Sequence, residues 1–436
     1  MTVLETATSP DRTTQLGRGW QSLEVIVVND FAHINGGSAK VAIESAVGLR
    51  NRGHDVTFFA AVPPVAKELE QSGIRVVSTG QYDIKSDPRR LRAAMQGVWN
   101  GKASQAMQII LRDRDPDKTV VHIHGWNKAL SSSVIRQAAL RRFAVVITLH
   151  DYFYACPNGG FFNFPRNEIC SLQAMSAACL RENCDRDSYS HKLWRTVRQI
   201  IQNEFGLGAE GIRHFICLSD LSENILRSYL PANAHIYHVP NPVEFQRQDS
   251  VSVRDNSQFM AVGRLSREKG FVLLAEAGAL IGANATFVGD GPERAAIEKT
   301  YDRAIVTGWQ QADKVRKYLQ TARALVLPSL SYEVQPISIL EAAALGVPAI
   351  VADTCAARDG VEDGVTGLLF RGGDAADLAE KMAQLQDNDL VARLGRRAYE
   401  KYWENPSTME RHLAALEDCY RAVLRSRTVQ KPVGVQ

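Results

Sequence analysis

Residues 23–62 read LEVIVVNDFAHINGGSAKVAIESAVGLRNRGHDVTFFAAV. A β-branched run opens the stretch, Asn29-Asp30 closes that run, and Gly36-Gly37 marks a turn. The next segment, SAKVAIESAVGLRNRG, repeats apolar residues at helical spacing, and DVTFFAAV is again a strand. Strand, glycine turn, helix and strand make a βαβ unit, which implies a parallel sheet.

Outward from this unit the rhythm continues. GIRVVSTG is followed by a helical stretch around 88–113, then KTVVHIHGW, a further helix, and FAVVITLHD ending at His150-Asp151. Later strands are expected at HFICLS and HIYHVPN. Apolar residues run almost unbroken through these strands, as they do where helices cover both faces of a sheet. Pro231, Pro240 and Pro242 then interrupt the chain, and the polar, unperiodic EFQRQDSVSVRDNSQ reads as a linker. The βα rhythm restarts at FMAVGRL and runs through ATFVGDG, AIVTGW, ARALVLPS and VPAIVAD. The expected fold class is therefore α/β, with two doubly wound, Rossmann-like domains at 23–240 and 258–404 joined by a linker at 241–257. A polar, flexible leader is expected over 1–22, and an amphipathic helix over 405–428, carrying Leu413, Leu416 and Tyr420. Open α/β sheets bind ligands at the carboxyl ends of their strands, so the cleft between the domains is the expected site.

Bulk properties narrow the function. A chain of 436 residues, at roughly 150 per domain, supports two or three domains. Hydrophobic residues at 45% and charged residues at 23% exclude disorder and fibrous architecture. A formal charge of +3 gives no reason to expect a nucleic-acid partner, although a local basic face can coexist with it. No apolar run approaches the ~18 residues a spanning helix needs, and MTVLETATSPDRTTQLGRGW has no apolar core of a signal peptide. Seven cysteines do not suggest a disulfide framework. The expected location is cytoplasmic, with the inner face of the membrane as a place of contact.

Four segments carry the chemistry. In Leu327–Gly346, LPSLSYEVQPISILEAAALG, a strand ends, a short loop bears Glu333, and Pro336 stands where a helix begins. The free N–H groups of that helix end suit phosphate. Glu333 and Glu341 bracket it, and carboxylates accept paired hydrogen bonds from the vicinal hydroxyls of sugars and riboses. Read alone, Glu341 equally suits a carboxylate complementing the helix dipole, and Glu333 a plain loop charge. In Gly263–Gly270, Arg264 and Lys269 flank a turn at another strand's end, where they could neutralise a diphosphate without metal, or simply form a solvated basic turn. Gly36-Gly37 lets backbone N–H groups approach a ligand, but lacks the G-x-G-x-x-G fingerprint of a dinucleotide site. His150 closes a strand at the cleft, where an imidazole can bond a sugar hydroxyl or manage a proton, although a lone histidine there is more often simply packed or solvated. His122 and His124 share a face of their strand, and spacing supplies no third ligand, so no metal is expected there.

In this order and at these strand ends, the segments resemble the retaining glycosyltransferases of family four, which have the GT-B fold. The resemblance runs from about Val25 to Tyr420. Its most specific parts are Glu-x7-Glu followed by Ala-Ala-x-x-Gly-Val-Pro, and Val-Gly-Arg-Leu-x-x-x-Lys-Gly; ICLSDLSENIL, HVPNPVE, FVGDGPER, VTGW and DGVTGLLF support them. It implies a nucleotide-diphosphate sugar as donor substrate, no cofactor and no bound metal. Carried over by motif, Arg264 and Lys269 hold the donor phosphates, with Gly36 and Gly37 letting their loop approach, and Pro336 and Ile337 opening the donor-side helix end. Glu341 binds the ribose. Glu333 contacts the donor sugar at the reacting face, and His150 stands beside its C6 hydroxyl region and the acceptor. The implied reaction is same-face attack through an oxocarbenium-like state, the leaving phosphate taking the acceptor proton. The implied setting is polysaccharide or cell-envelope glycan assembly, on a glycan or lipid-linked acceptor. Alternatives within the fold are a sugar-nucleotide epimerase or a phosphorylase-like enzyme; outside catalysis, a degenerate nucleotide-sugar-binding scaffold.

Two features depart from the family pattern. Val334 stands after Glu333 where a small residue is usual. The segment DYFYACPNGGFFNFPRNEICSLQAMSAACLRENC brings Cys156, Cys170, Cys179 and Cys184, read as reduced thiols in an acceptor-side loop ahead of a metal or disulfide clip. Arg181, Arg186, Lys192, Arg195 and Arg198 follow, interleaved with Tyr189, Leu193 and Trp194. This basic amphipathic helix suits either an anionic membrane surface or, more blandly, a solvated face with a packed Trp.

Overall fold

The computed structural model describes residues 2–3, 22–208 and 212–428. Apart from Thr2–Val3 and Ser22, the leader expected over 1–22 lies outside the described residues.

The amino-terminal domain is built on β1 (Glu24–Phe31), α1 (Gly37–Asn51), β2 (Asp55–Val62), β3 (Arg75–Ser78), α2 (Arg90–Val98), β4 (Thr119–Ile123), β5 (Ala144–Thr148), α3 (Tyr189–Ile201), β6 (His214–Cys217) and β7 (His235–His238). Its strands lie in the order β3-β2-β1-β4-β5-β6-β7, all parallel, and Thr2–Val3 pairs antiparallel with Val77 and Ser78 at the outer edge. Ile26, Val27, Val121, Val145 and Ile147 are fully buried, because helices cover both faces. Each such side chain contributes about 1.5–3 kcal/mol.

The second domain carries β8 (Gln258–Val262), α4 (Phe271–Ile281), β9 (Asn284–Val288), β10 (Ile305–Val306), β11 (Ala322–Leu327), α5 (Ile337–Leu345), β12 (Ala349–Ala352), β13 (Gly367–Phe370) and α6 (Asn388–Glu404). Its parallel order is β10-β9-β8-β11-β12-β13. The strand order reverses between β8 and β11 here, and between β1 and β4 in the first domain. At such a switch point adjacent strands send their connections to opposite faces and leave a crevice.

The last helix, α7 (Met409–Thr428), returns to the first domain. His412 Nε2 lies 2.8 Å from Ser45 Oγ of α1, and Glu417 Oε1 lies 2.9 Å from His54 Nε2. Leu413, Leu416 and Val423 are buried in the first domain's core. Direct contacts also join the two domains across the cleft: Arg186 Nη2 to Glu268 Oε2 at 2.8 Å, Leu221 N to Asp359 Oδ2 at 3.0 Å, and Arg267 Nη1 to the Phe164 carbonyl at 3.3 Å.

One expectation is reversed. The basic residues of α3 face inward rather than outward. Lys192 and Arg198 are buried, Arg195 Nε pairs with Asp185 Oδ2 at 2.8 Å, and Arg186, just before the helix, is the interdomain bridge. Arg198 lies over the rings of Phe153 and Trp194 and donates to the Asn127 and Pro157 carbonyls. A planar guanidinium that finds both ring faces and carbonyl acceptors is more stable inside than a generic cation. The outward face is apolar instead: Tyr189, Leu193, Val197 and Ile200 are exposed.

Candidate active site

The crevice between β8 and β11 holds the two side chains of opposite charge that the sequence placed 64 residues apart. After β8 the chain turns at Gly263, exposes Arg264, and forms one 3-10 turn over Arg267–Lys269. After β11 the loop Pro328–Gln335 carries Glu333. Lys269 Nζ lies 2.6 Å from Glu333 Oε1, and Ser329 Oγ donates to the same oxygen at 2.8 Å. The Lys269 pKa is acted on first by burial, downward, but the neighbouring Glu333 carboxylate outweighs it and the net shift is up. Glu333 adopts φ of 51°, a left-handed conformation a β-carbon disfavours, and its carbonyl accepts from Tyr152 OH at 2.5 Å. The first domain thus clamps the strained residue in place, and strain of this kind gathers at functional sites.

His150 enters from the opposite wall. A cavity of about 280 Å³ is lined by His150, Asp151 and Tyr152 on one side and by Lys269, Glu333 and Val334 on the other. Val334 is buried there, so the pocket wall is bulkier than a small residue would make it. His150 Nε2 lies 2.9 Å from His124 Nδ1, His124 Nε2 lies 3.2 Å from His122 Nδ1, and His122 meets Tyr420 OH and Thr148 Oγ1 at 2.7 Å each. A chain of three imidazoles therefore runs from the cleft to α7. Burial, then the His412 charge, pushes the His150 pKa down to about 3, and burial lowers His122 and His124 as well. Burial thus favours the neutral form of all three, which suits hydrogen bonding to a hydroxyl rather than binding an anion.

The helix ends complete the arrangement. Gly36 is the N-cap of α1 and Pro336 that of α5, and neither end has a side-chain cap. A methyl group placed on Gly37 would stand 3.8 Å from Ile337 Cδ1, so the two uncapped amino termini face each other across the cleft. Their free N–H groups and dipoles favour a polyanion between them. Glu341 lies in the second turn of α5, outside this cavity; burial raises its pKa, and Lys40 of α1 and Arg316 act against that. The geometry thus brings Lys269, Glu333 and His150 to one cavity, sets Gly37 against Ile337 where the α1 and α5 ends meet, and holds Glu341 further along α5.

Sequence reasoning missed Tyr152 and Ser329, which hold Glu333 by its carbonyl and its carboxylate. Nothing in the local sequence around Tyr152 signals this, because it stands 181 residues from Glu333 along the chain. Among the described residues, no group of three or more His, Cys, Asp or Glu is placed to hold a metal ion, and all seven cysteines are free thiols.

Two facing doubly wound domains with their strand ends turned to a common cleft define the GT-B class of proteins. Residues 35–247 match the family described as Glycosyltransferase Family 4, and residues 256–388 match Glycosyl transferases group 1. The chain belongs to this glycosyltransferase family. It is 32% identical over 158 residues to alpha-D-kanosaminyltransferase of Streptomyces kanamyceticus, covering 33% of this chain and only 40% of that relative. It is 23% identical over 407 residues to N-acetyl-alpha-D-glucosaminyl L-malate synthase of Bacillus anthracis, covering 89% and 95%. The fold is shared with HepE of Anabaena, solved with UDP and glucose, at TM-score 0.64 and 16% identity over 92% of this chain and 100% of that one.

Proposed function

We propose that this protein is a retaining, metal-independent glycosyltransferase that moves a sugar from a nucleotide-diphosphate sugar to a glycan or lipid-linked acceptor in polysaccharide or envelope assembly. The observation that carries the reading is the Lys269–Glu333 pair, set in a cleft beside two uncapped helix ends. The donor diphosphate lies between those ends, and Arg264 and Lys269 balance its charge as it leaves. Glu341 accepts the ribose hydroxyls. Glu333, paired with Lys269, accepts hydroxyls of the donor sugar and favours the positive charge that grows on its ring. Neutral His150 bonds a sugar hydroxyl and the approaching acceptor. The acceptor attacks the face the phosphate leaves, and the departing phosphate oxygen takes its proton.

Ligand-induced stabilisation tests this reading. UDP, GDP, ADP and dTDP, free and as common sugar conjugates, are each added and thermal unfolding is followed. One nucleotide at 100 times its Kd is expected to stabilise the fold by about 2.7 kcal/mol, and Glu341→Ala to abolish that shift. If no nucleotide moves the transition, the donor assignment fails.

The proposed place of work is the cytoplasmic membrane surface, reached by an apolar rather than a basic face. Exposed Tyr189, Leu193, Val197 and Ile200 on α3 lie beside exposed Leu91 and Met95 on α2, with Arg89 and Arg90 exposed at the rim. Trp194 Nε1 donates to the Ala94 carbonyl and joins the two helices. Apolar side chains ringed by cations fit an interface with anionic lipid. No helix among the described residues is long and apolar enough to cross a membrane. The protein is expected to sediment with phosphatidylglycerol vesicles, and Leu193→Asp/Val197→Asp to release it; equal sedimentation of both proteins would rule this face out.

A further inference from the structure

Lys192 has no part in the donor chemistry, yet its side chain is fully buried. Its Nζ stands 3.2 Å from Cys184 Sγ and 3.5 Å from Cys179 Sγ, and no carboxylate pairs with it among the described residues. A buried ammonium without a counter-charge is strongly disfavoured, and the two sulfurs are the groups that stand within reach of it. Burial pushes the Lys192 pKa down, but Cys184 and Cys179, with Cys156 behind them, outweigh it and the net shift is up. Burial raises the thiols of Cys156 and Cys170, and pushes those of Cys217, Cys355 and Cys419 up to about 12. A thiol held protonated is a poor nucleophile, whereas one beside a cation is a good one.

We propose that Cys179 and Cys184 form a redox-active dithiol, with Lys192 as counter-ion of the reacting sulfur, and that hydrogen peroxide converts the pair to a disulfide. The Cys184 thiolate attacks one peroxide oxygen, an S–O bond forms, the O–O bond breaks, and the departing hydroxide takes a proton to become water. The Cys179 sulfur then attacks the sulfenic sulfur of Cys184. An S–S bond forms, the S–O bond breaks, and hydroxide leaves as water with the Cys179 proton. Two thiols and one peroxide give one disulfide and two waters, the sulfur pair losing the two electrons the peroxide gains. Cys179 lies in the short helix Ala177–Arg181, whose Ala177, Ala178 and Arg181 are exposed, and both sulfurs belong to buried residues next to that surface.

The modification reaches the cleft by a short route. The Cys184 carbonyl accepts from Phe164 N and Asn158 Nδ2 at 3.3 Å each, and two residues on, Arg186 bridges to Glu268, the neighbour of Lys269. Oxidation removes the counter-charge of Lys192 and loosens the wall to which Arg186 belongs.

The test is intact-mass spectrometry with peptide mapping on the reduced protein exposed to a small excess of hydrogen peroxide. The expected product has lost two hydrogens, yields a cross-linked peptide joining Cys179 to Cys184, and reverts with dithiothreitol. Cys184→Ser and Cys179→Ser each abolish it. Lys192→Met, which keeps the side-chain length without the charge, slows its formation at least about tenfold. The mass readout is independent of transferase activity, so it stands whatever the donor proves to be. No mass change, a sulfinic acid on one cysteine alone, an oxygen-bridged link from Lys192 to sulfur, or an unaltered rate in Lys192→Met would each overturn the proposal.

Discussion

Lys269→Ala is expected to lower kcat/KM for glycosyl transfer about 10²–10³-fold, ~3–4 kcal/mol of transition-state stabilisation. Two losses combine. The ammonium proposed to meet the departing diphosphate is gone, and Glu333, to whose Oε1 it stood at 2.6 Å, is left with only Ser329 as donor. The Glu333 side chain is 14% exposed, so water only partly replaces the missing cation. Because Glu333 is also held by Tyr152 through its carbonyl, the loop is expected to keep its place and the melting temperature to fall little. Initial rates over a range of donor concentrations, beside thermal unfolding of the same preparation, decide the matter. A folded Lys269→Ala enzyme within threefold of the parent would remove Lys269 from the mechanism.

Gly270→Ala, one residue on, is expected to destabilise the protein by about 3 kcal/mol and to abolish measurable activity. Gly270 ends the basic turn at φ of 64°, and an added methyl group would fall far inside van der Waals contact distance of the Pro328 carbonyl oxygen, in the backbone of the loop after β11. That close approach lets the Leu330 amide donate to the Glu268 carbonyl at 3.0 Å and brings the two strand-end loops together. Backbone cannot rotate away as a side chain can, so the loops must separate and Lys269 must leave Glu333. A lower urea midpoint with an unchanged m-value would report the stability loss directly. An unchanged midpoint would mean the turn does not need this approach.

Much of the fold was legible because it depends on local patterns. LEVIVVND, the glycine turn and the helix after it encode a βαβ unit within forty residues, and strands covered on both faces appear as unbroken apolar runs. Pro336 at the start of α5 was readable for a similar reason, since a fixed φ and a missing N–H have meaning only at a helix end. The roles expected of Arg264, Lys269 and Glu341 came from the family resemblance; local chemistry alone left Glu341 level with a plain helix charge and raised Arg264 and Lys269 only by their place at a strand end. Residue type also proved a poor guide to orientation. The cations of α3 looked solvent-facing in sequence, yet Arg198 and Lys192 are inside, each held by partners from loops far along the chain.

The sequence by itself determined that the chain alternates strand and helix twice over, and that chemistry-bearing residues stand at the ends of particular strands. Periodicity and turn chemistry act over a few residues, so they survive in a one-dimensional reading. Only the tertiary structure decided that β8 lies next to β11, and with it that Lys269 touches Glu333. It alone ran three imidazoles from His150 through His122 to a tyrosine on α7 that lies 298 residues from His122 along the chain. It also closed two cysteine sulfurs on one buried ammonium. Strand order follows from which faces find partners and how the crossovers wind, and that competition is settled by the packing of the whole chain.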